Sequence, residues 1–160
     1  MIVCQDADDY SDPKRIEKQL ALLKASPTVG LVGASFFEIS LLGVLFWLVF
    51  VVIMLEEIRA RLRKVMPFAG GSIMGHAGLF YQLQGYDLAF DGQLGEDYDL
   101  LLRAAEITDL AASPEPLYFY RTNNPDSMCG LIRHDYSVAK ELVLARGRSR
   151  ASRLLDRHQK

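Results

Sequence analysis

The residues of this sequence that could do chemistry are concentrated in two short acidic segments, and the first opens the chain. The run Met1–Cys4 is apolar, and Asp6 and Asp8 follow it directly. Carboxylates two residues apart at the end of a strand point to the same side. Oxygen ligands suit Mg²⁺ or Mn²⁺, which leave room for substrate phosphates, so the pattern is typical of a metal-diphosphate site. The alternative is an acidic turn, in which Asp is frequent for local hydrogen-bonding reasons.

The second acidic segment contains Glu96, Asp97 and Asp99. A helix that begins here would explain the carboxylates without any chemistry, because acidic residues complement the positive end of the helix dipole. Three neighbouring carboxylates also repel one another, which favours a bound cation or a raised pKa for one of them. The segment is therefore compatible with a general base, and equally with an ordinary helix start.

Composition indicates one domain. The chain has 160 residues, half of them hydrophobic, and a formal net charge of -2, which gives no global attraction to nucleic acid or anionic membranes. The two cysteines, Cys4 and Cys129, lie outside any CxxC or Cys/His pattern and are interpreted as reduced. The first residues lack the basic start of a signal peptide, so a cytoplasmic location is expected.

An apolar block, Ile39–Leu55, contains no charged residue and precedes a basic run from Arg59 to Lys64. As a helix it would span about 25 Å, somewhat short of the ~30 Å core of a bilayer, with its basic flank on the cytoplasmic side. A buried β-hairpin or core helix is the alternative, since Val, Ile and Phe are dense here and Gly43 can mark a turn. Membrane contact at the inner face of the plasma membrane therefore stays an open hypothesis.

Local patterns predict alternating strands and helices around these segments. Asp12 and Pro13 suit the start of a helix whose apolar positions are Ile16, Leu20 and Leu23. Further elements are predicted at 29–37 (strand), 56–65 (helix), 76–83 (helix), from 96 (helix), 116–121 (strand) and from about 131 (helix). Between them Gly70, Gly71 and Ser72 form a loop whose glycines let the backbone pass close to a ligand or another segment.

Four blocks in order carry a family resemblance: the strand into Asp-Ala-Asp-Asp, the Gly-Gly-Ser loop, Gly-Tyr-Asp followed by Gly-Glu-Asp-Tyr-Asp, and Pro-Glu-Pro-Leu-Tyr-Phe-Tyr-Arg. Together they resemble the family-two inverting glycosyltransferases of the GT-A fold. The resemblance implies an α/β fold, a Rossmann-like mixed sheet flanked by helices. It covers most of the chain except 39–55 and the basic tail.

The resemblance also implies roles for particular residues. Asp8 would bind Mn²⁺ or Mg²⁺ directly, and Asp6 would contact the metal or the donor ribose. Asp97 would be the catalytic base, supported by Glu96. The residues that match donor-, sugar- or acceptor-binding positions are Gly70, Gly71, Ser72, Arg121 and Asn123.

The sequence departs from the family in three places. The family's nucleotide-binding half precedes the metal motif, whereas here Met1 lies five residues before Asp6, so the N-terminal strands are expected to be missing. Asn123 stands where the family often has His, and Asn can hydrogen-bond phosphate. The apolar block 39–55 replaces a segment that is usually polar.

The resulting hypothesis is a metal-dependent hexosyl-type transferase, with a partial catalytic region at 1–145 and a basic tail at 146–160. Its partners would be a UDP- or GDP-linked sugar donor and a saccharide or lipid-linked acceptor, as in cell-envelope polysaccharide synthesis. The alternative is a non-catalytic, truncated remnant that acts as a membrane-associated or interaction protein. A phosphatase with Asp6 as nucleophile is disfavoured because the expected Ser/Thr and Lys motifs are lacking.

Overall fold

The chain folds into a mixed sheet with helices on both faces. The computed structural model describes residues 1–51, 55–91, 94–122, 124, 125, 127 and 140–148. In chain order the elements are β1 (Ile2–Val3), β2 (Tyr10–Ser11), α1 (Arg15–Ala25), β3 (Val29–Ile39), β4 (Leu45–Val49), α2 (Leu55–Leu62), β5 (Met74–Gly75), α3 (Ala77–Leu83), α4 (Glu96–Ala105) and β6 (Asp109–Arg121). Short 3₁₀ turns lie at Gly70–Ser72 and Leu88–Phe90, and residues 140–148 are helical.

Two long parallel strands, β3 and β6, form the centre of the sheet. The strand order is β1-β5-β3-β6-β2, with β4 paired to the second half of β3, and every pairing except β3 with β6 is antiparallel. The first half of β3 is buried on both faces, which explains its unbroken run of apolar and small residues. The architecture is thus a mixed α/β sheet flanked by helices, as expected from the sequence.

Two cores lie on opposite faces of the sheet, because neighbouring strand residues point in opposite directions. Leu31 packs with residues of α2, α3 and α4, such as Ile58 and Leu101. Val32 packs with Leu23 of α1 on the other face. Helices therefore cover both faces of the sheet. The segments that follow β1, β3 and β6 lie at the same end of it.

The predicted apolar face of the first helix is correct at Leu20 and Leu23, which pack in the core, and wrong at Ile16. Ile16 is 57% exposed, and the buried residues of α1 are Arg15, Gln19 and Leu23. The helix also begins at Arg15, two residues after Pro13. The Asp12 carboxylate accepts a hydrogen bond from the Lys14 backbone N–H at 2.8 Å, and the Asp12 carbonyl accepts one from the Arg15 backbone N–H at 2.9 Å. Its buried face is polar because it reaches backbone carbonyls of the neighbouring loops.

The apolar block forms a β-hairpin. β3 continues to Ile39, residues 40–44 turn, and β4 pairs back along β3, with Trp47 opposite Glu38 and Val49 opposite Phe36. Gly43 adopts φ +79° in the turn, a conformation that favours glycine. Within the described residues, no helix has the length and apolar character needed to cross a bilayer. The structure therefore has a hairpin here, as one alternative predicted, but most side chains of β4 are exposed and not buried as that alternative expected.

Other boundaries differ from the predicted ones by a few residues. The second helix ends at Leu62 rather than Val65, and the third begins at Ala77 and ends before Gln84 and Gly85, which both have positive φ. β6 starts at Asp109, seven residues before the predicted strand. The predicted start of the last helix and Cys129 lie outside the described residues.

Candidate active site

A cleft of about 810 Å³ opens where the segments that follow β1 and β6 meet the end of β3 and the start of α4. Six of the residues singled out in the sequence line it: Asp6, Asp8, Gly70, Glu96, Asp97 and Arg121. The two acidic segments, which are about ninety residues apart in the chain, thus share one cavity. Asn123 lies outside the described residues.

Asp97 lies in the first turn of α4, and Gly70 packs directly against it. The Tyr98 backbone N–H donates to Asp97 Oδ1 at 2.7 Å. A Cβ on Gly70 would lie 2.2 Å from Asp97 Oδ2, so no larger residue fits without moving the carboxylate. Burial, followed by the charge of Glu96, raises the pKa of Asp97 to about 7. The arrangement holds a carboxyl group that can accept or release a proton near neutral pH.

Glu96 lines the cleft beside Asp97, and its Oε2 is buried with no hydrogen-bond partner in the described part of the chain. An unpartnered buried carboxylate oxygen carries a desolvation cost that a ligand's donor group or a cation would relieve. Asp99, the third carboxylate of the segment, is fully buried and pairs with Arg103 at 2.6 Å. Asp99 therefore has a structural role, and the cleft receives only the first two carboxylates.

The first acidic loop is held from β6. The Arg121 backbone N–H donates to Asp9 Oδ1 at 2.7 Å, and its Nε donates to the Asp8 carbonyl at 2.6 Å. Asn124 Nδ2 donates to Asp8 Oδ2 at 2.7 Å. These contacts orient the Asp8 carboxylate at the cleft. The Arg121 guanidinium is itself hydrogen-bonded to backbone carbonyls.

Asp6 is held in place by Tyr118, which lies on β6. The backbone N–H of Asp6 donates to Tyr118 Oη at 3.2 Å. A Cβ on Gly71 would lie 1.9 Å from Tyr118 Oη and 2.7 Å from Asp6 Oδ2, so this glycine is needed for a close approach. Burial, and then the charge of Asp8, raise the pKa of Asp6. A cation placed between the two carboxylates would offset this repulsion.

Gly71 and Ser72 lie behind the cleft wall rather than in it. Ser72 is fully buried, and its hydroxyl donates to the Ala69 carbonyl at 2.7 Å. The loop predicted to line the sugar pocket thus contributes Gly70 to the surface of the cleft, while Gly71 and Ser72 support it.

Two carboxylates suit Mg²⁺ or Mn²⁺ when a ligand supplies further oxygens. In the described ranges, no group of three or more His, Cys, Asp or Glu residues could hold a metal ion. Mg²⁺ is usually bound by one or two carboxylates plus substrate phosphates. Asp6 and Asp8, with mutual repulsion and room in the cleft, fit that type of site.

Several contacting residues were not identified from the sequence. Tyr86 lines the cleft, and Asp9, Tyr118 and Asn124 hold the acidic loop. Asp9 carries a pKa raised to about 6, mainly by burial, and its Oδ2 is buried without a partner among the described residues. The signal for Asp9 was its place in the acidic run, whereas Tyr118 and Asn124 become visible only when β6 is placed beside the loop.

The raised pKa values predict that stability falls as pH rises. Asp97 has a pKa of about 7 when folded, against roughly 3.9 when unfolded, so between those pH values the folded state binds more protons. The free energy of unfolding should decrease by about 4 kcal/mol from pH 4 to pH 8, because the ionised carboxylate is poorly solvated. Urea unfolding at several pH values measures this.

Asp97→Asn should flatten that pH dependence and raise stability at pH 8, since the amide carries no charge to desolvate. The pKa of Asp9 is also raised, so Asp97→Asn should still lose some stability as the pH rises to about 6, but with a smaller slope than the parent. Equal slopes in the parent and the variant would contradict the raised pKa of Asp97.

The chain is similar to part of a known protein. Over 105 residues, 66% of this chain, the sequence is 34% identical to a protein of Bacillus subtilis (strain 168) named "Putative glycosyltransferase EpsE". The matched region covers 37% of that protein's length. No family model matches the chain. The similarity supports a glycosyltransferase relationship for the matched part of the chain.

Proposed function

We propose that this chain carries the catalytic carboxylates of a family-two inverting glycosyltransferase of the GT-A fold. The observation that carries the proposal is the placement of Asp97, with a pKa of about 7, in the same cleft as Asp6 and Asp8. The similarity to a protein named as a glycosyltransferase supports the same class. The donor would be a nucleoside-diphosphate sugar, and the acceptor a hydroxyl of a saccharide or lipid-linked saccharide.

Asp97 would act as the general base. In the proposed step the acceptor oxygen attacks the anomeric carbon, its proton passes to the Asp97 carboxylate, and the bond to the nucleoside diphosphate breaks. A single displacement of this kind inverts the anomeric configuration. A base whose pKa lies near the working pH is the most effective, and burial has moved Asp97 into that range.

Asp8 and Asp6 would hold the divalent cation. When bound, Mn²⁺ or Mg²⁺ would bind the diphosphate and stabilise its developing charge. The chain's contribution is to orient Asp8 through Asn124 and Arg121, and to hold Asp6 through Tyr118 and Gly71. Glu96 would lie beside the acceptor with its free Oε2 available to a hydroxyl.

The test is calorimetric titration of UDP and of GDP into the 160-residue chain with and without Mn²⁺. We expect saturable binding that requires Mn²⁺ and weakens at least about tenfold in Asp8→Ala. Asp91→Ala is the matched control, because Asp91 is exposed and outside the cleft lining. Absence of binding by the folded chain would contradict the proposal and favour the non-catalytic remnant.

A further inference from the structure

The β-hairpin at residues 40–50 presents an unusual amount of apolar surface, and we call it the apolar hairpin. Leu42 at its tip is 92% exposed and Trp47 in β4 is 72% exposed. The other exposed members are Leu41, Val44, Leu45, Phe46, Leu48 and Phe50. These eight exposed apolar side chains fall within ten residues, whereas exposed apolar residues on a typical monomer are scattered singly, and clusters of them mark interaction sites.

The tip of the apolar hairpin has satisfied most of its own backbone groups. Ser40 N–H donates to the Val44 carbonyl at 2.8 Å, and Gly43 N–H to the Ser40 carbonyl at 2.9 Å. The Ser40 hydroxyl oxygen accepts from the backbone N–H groups of Leu42 and Val44. Arg121 Nη1 donates to the carbonyls of Ser40 and Leu41. In an apolar medium unsatisfied backbone groups are costly, so this turn is suited to leave water.

The turn also has the side chains that such an environment requires. The turn at residues 40–44 contains Ser40 and Gly43, which are common in exposed turns, but its other three residues, Leu41, Leu42 and Val44, are apolar. No charged residue occurs between Glu38 and Glu56. Both the side chains and the backbone of the tip therefore match an apolar surrounding.

The apolar side chains lie on both faces of the sheet. Trp47 is opposite Glu38, which lines the cleft, while Leu48 is opposite Phe37, whose ring stacks on Phe119 of the other face. A flat protein partner would cover one face, and edge pairing with a second copy would cover neither. An interface of lipid headgroups and acyl chains surrounds a protruding hairpin on all sides. We propose that the apolar hairpin inserts shallowly into a lipid bilayer with anionic headgroups.

Geometry limits the depth of insertion. Among the described strands β4 pairs only with β3, so its outer backbone edge must stay where water reaches, within about 5–10 Å of the headgroup boundary. Trp47 would then lie at headgroup level, where Trp and Tyr are enriched, with Tyr10 beside the turn. Arg61 is exposed and lines the cleft with Val49 at the base of the hairpin, but the cleft also contains carboxylates such as Glu38. The exposed Arg63 and Lys64 follow Arg61 in the chain, and it is this basic run that favours anionic headgroups.

Docking in this way would bring the cleft to the lipid surface. Phe36, Glu38 and Val49, at the base of the hairpin, form part of the cleft wall. Where the proposed function holds, and only there, the acceptor would be a saccharide carried by a membrane lipid. The lipid contact itself requires no sugar transfer.

Trp47 is the single tryptophan of the chain, so its fluorescence reports the hairpin directly. The experiment adds phosphatidylcholine vesicles containing about one quarter phosphatidylglycerol to the full chain, without donor or acceptor. We expect the emission to shift to shorter wavelength, to be quenched by acyl-brominated lipids, and to respond more weakly to pure phosphatidylcholine.

Leu42→Asp should weaken vesicle binding about tenfold or more, since a carboxylate at the tip must be desolvated. Leu88→Asp is the matched control, because Leu88 is 86% exposed in a different loop, and it should bind like the parent. Circular dichroism checks that both variants fold. An unchanged emission with vesicles, or equal losses in both variants, would overturn the proposal. A shift that depends on protein concentration without lipid would also overturn it, in favour of a second copy.

Discussion

Replacing Asp97 with Asn is expected to lower the rate of sugar transfer by about 10²–10⁴-fold, the usual contribution of a general base. Asn has nearly the same shape, and its oxygen can still accept the Tyr98 N–H that Asp97 Oδ1 accepts at 2.7 Å. It cannot take a proton from an acceptor hydroxyl. The measurement is release of the donor nucleotide, with the donor identified by the calorimetric titration.

Two comparisons separate lost chemistry from lost structure. Asp91→Asn makes the same change at an exposed position outside the cleft and should transfer at the parent rate. Asp97→Asn should retain Mn²⁺-dependent nucleotide binding through Asp8 and become more stable at pH 8. A variant that keeps the parent rate would refute the role of Asp97. An unstable variant would contradict its raised pKa.

Residue types and spacing alone did not distinguish Asp97 from its neighbours, whereas the family resemblance did. In the sequence, Glu96, Asp97 and Asp99 are three acidic residues at a helix start. Asp99 points into the protein to Arg103, which also donates to the carbonyls of Leu83 and Gly85. Asp97 faces Gly70 and the cleft. Asp97 and Asp99 are two residues apart in a helix, so their side chains point in different directions. Which of the two faces the cleft depends on how α4 packs against the rest of the protein.

The sequence predicted the elements best where one pattern dominated. The buried run of β3 and the Ile58 and Leu62 face of α2 followed from local periodicity. The block at 39–55 could not be assigned, because a continuous apolar run has neither helical nor strand period. Its assignment depends on whether it pairs with β3, which the apolar run itself does not specify, so strand, core helix and membrane helix remained open.

The candidate site was predictable to the extent that its residues are local in the chain. Asp6 and Asp8 could be recognised from their spacing and from the family resemblance. Their support comes from Tyr118, Arg121 and Asn124, more than a hundred residues away. No local pattern indicates such contacts, because they depend on β6 lying next to β3 and β2.

The buried face of α1 leads to a second large effect, on stability. Arg15→Met is expected to lower the free energy of unfolding by about 3–5 kcal/mol. Arg15 Nη2 donates to the carbonyls of Cys4, Gly71 and Ile73 at 2.9, 2.8 and 3.3 Å. Removing the guanidinium leaves these oxygens without that donor in a buried position. Urea unfolding at constant pH measures the change.

Lys18→Met is the matched control, because it also replaces a positively charged side chain of α1 with Met. Lys18 pairs with Glu115 at the surface, where water screens the charges, so its replacement should change the free energy of unfolding little. Equal losses in the two variants would show that Arg15 contributes only charge. A much larger loss for Arg15→Met would mean that one buried cation joins the strand before Asp6 to the glycine loop beside Asp97. The two halves of the cleft would then depend on α1 for their relative position.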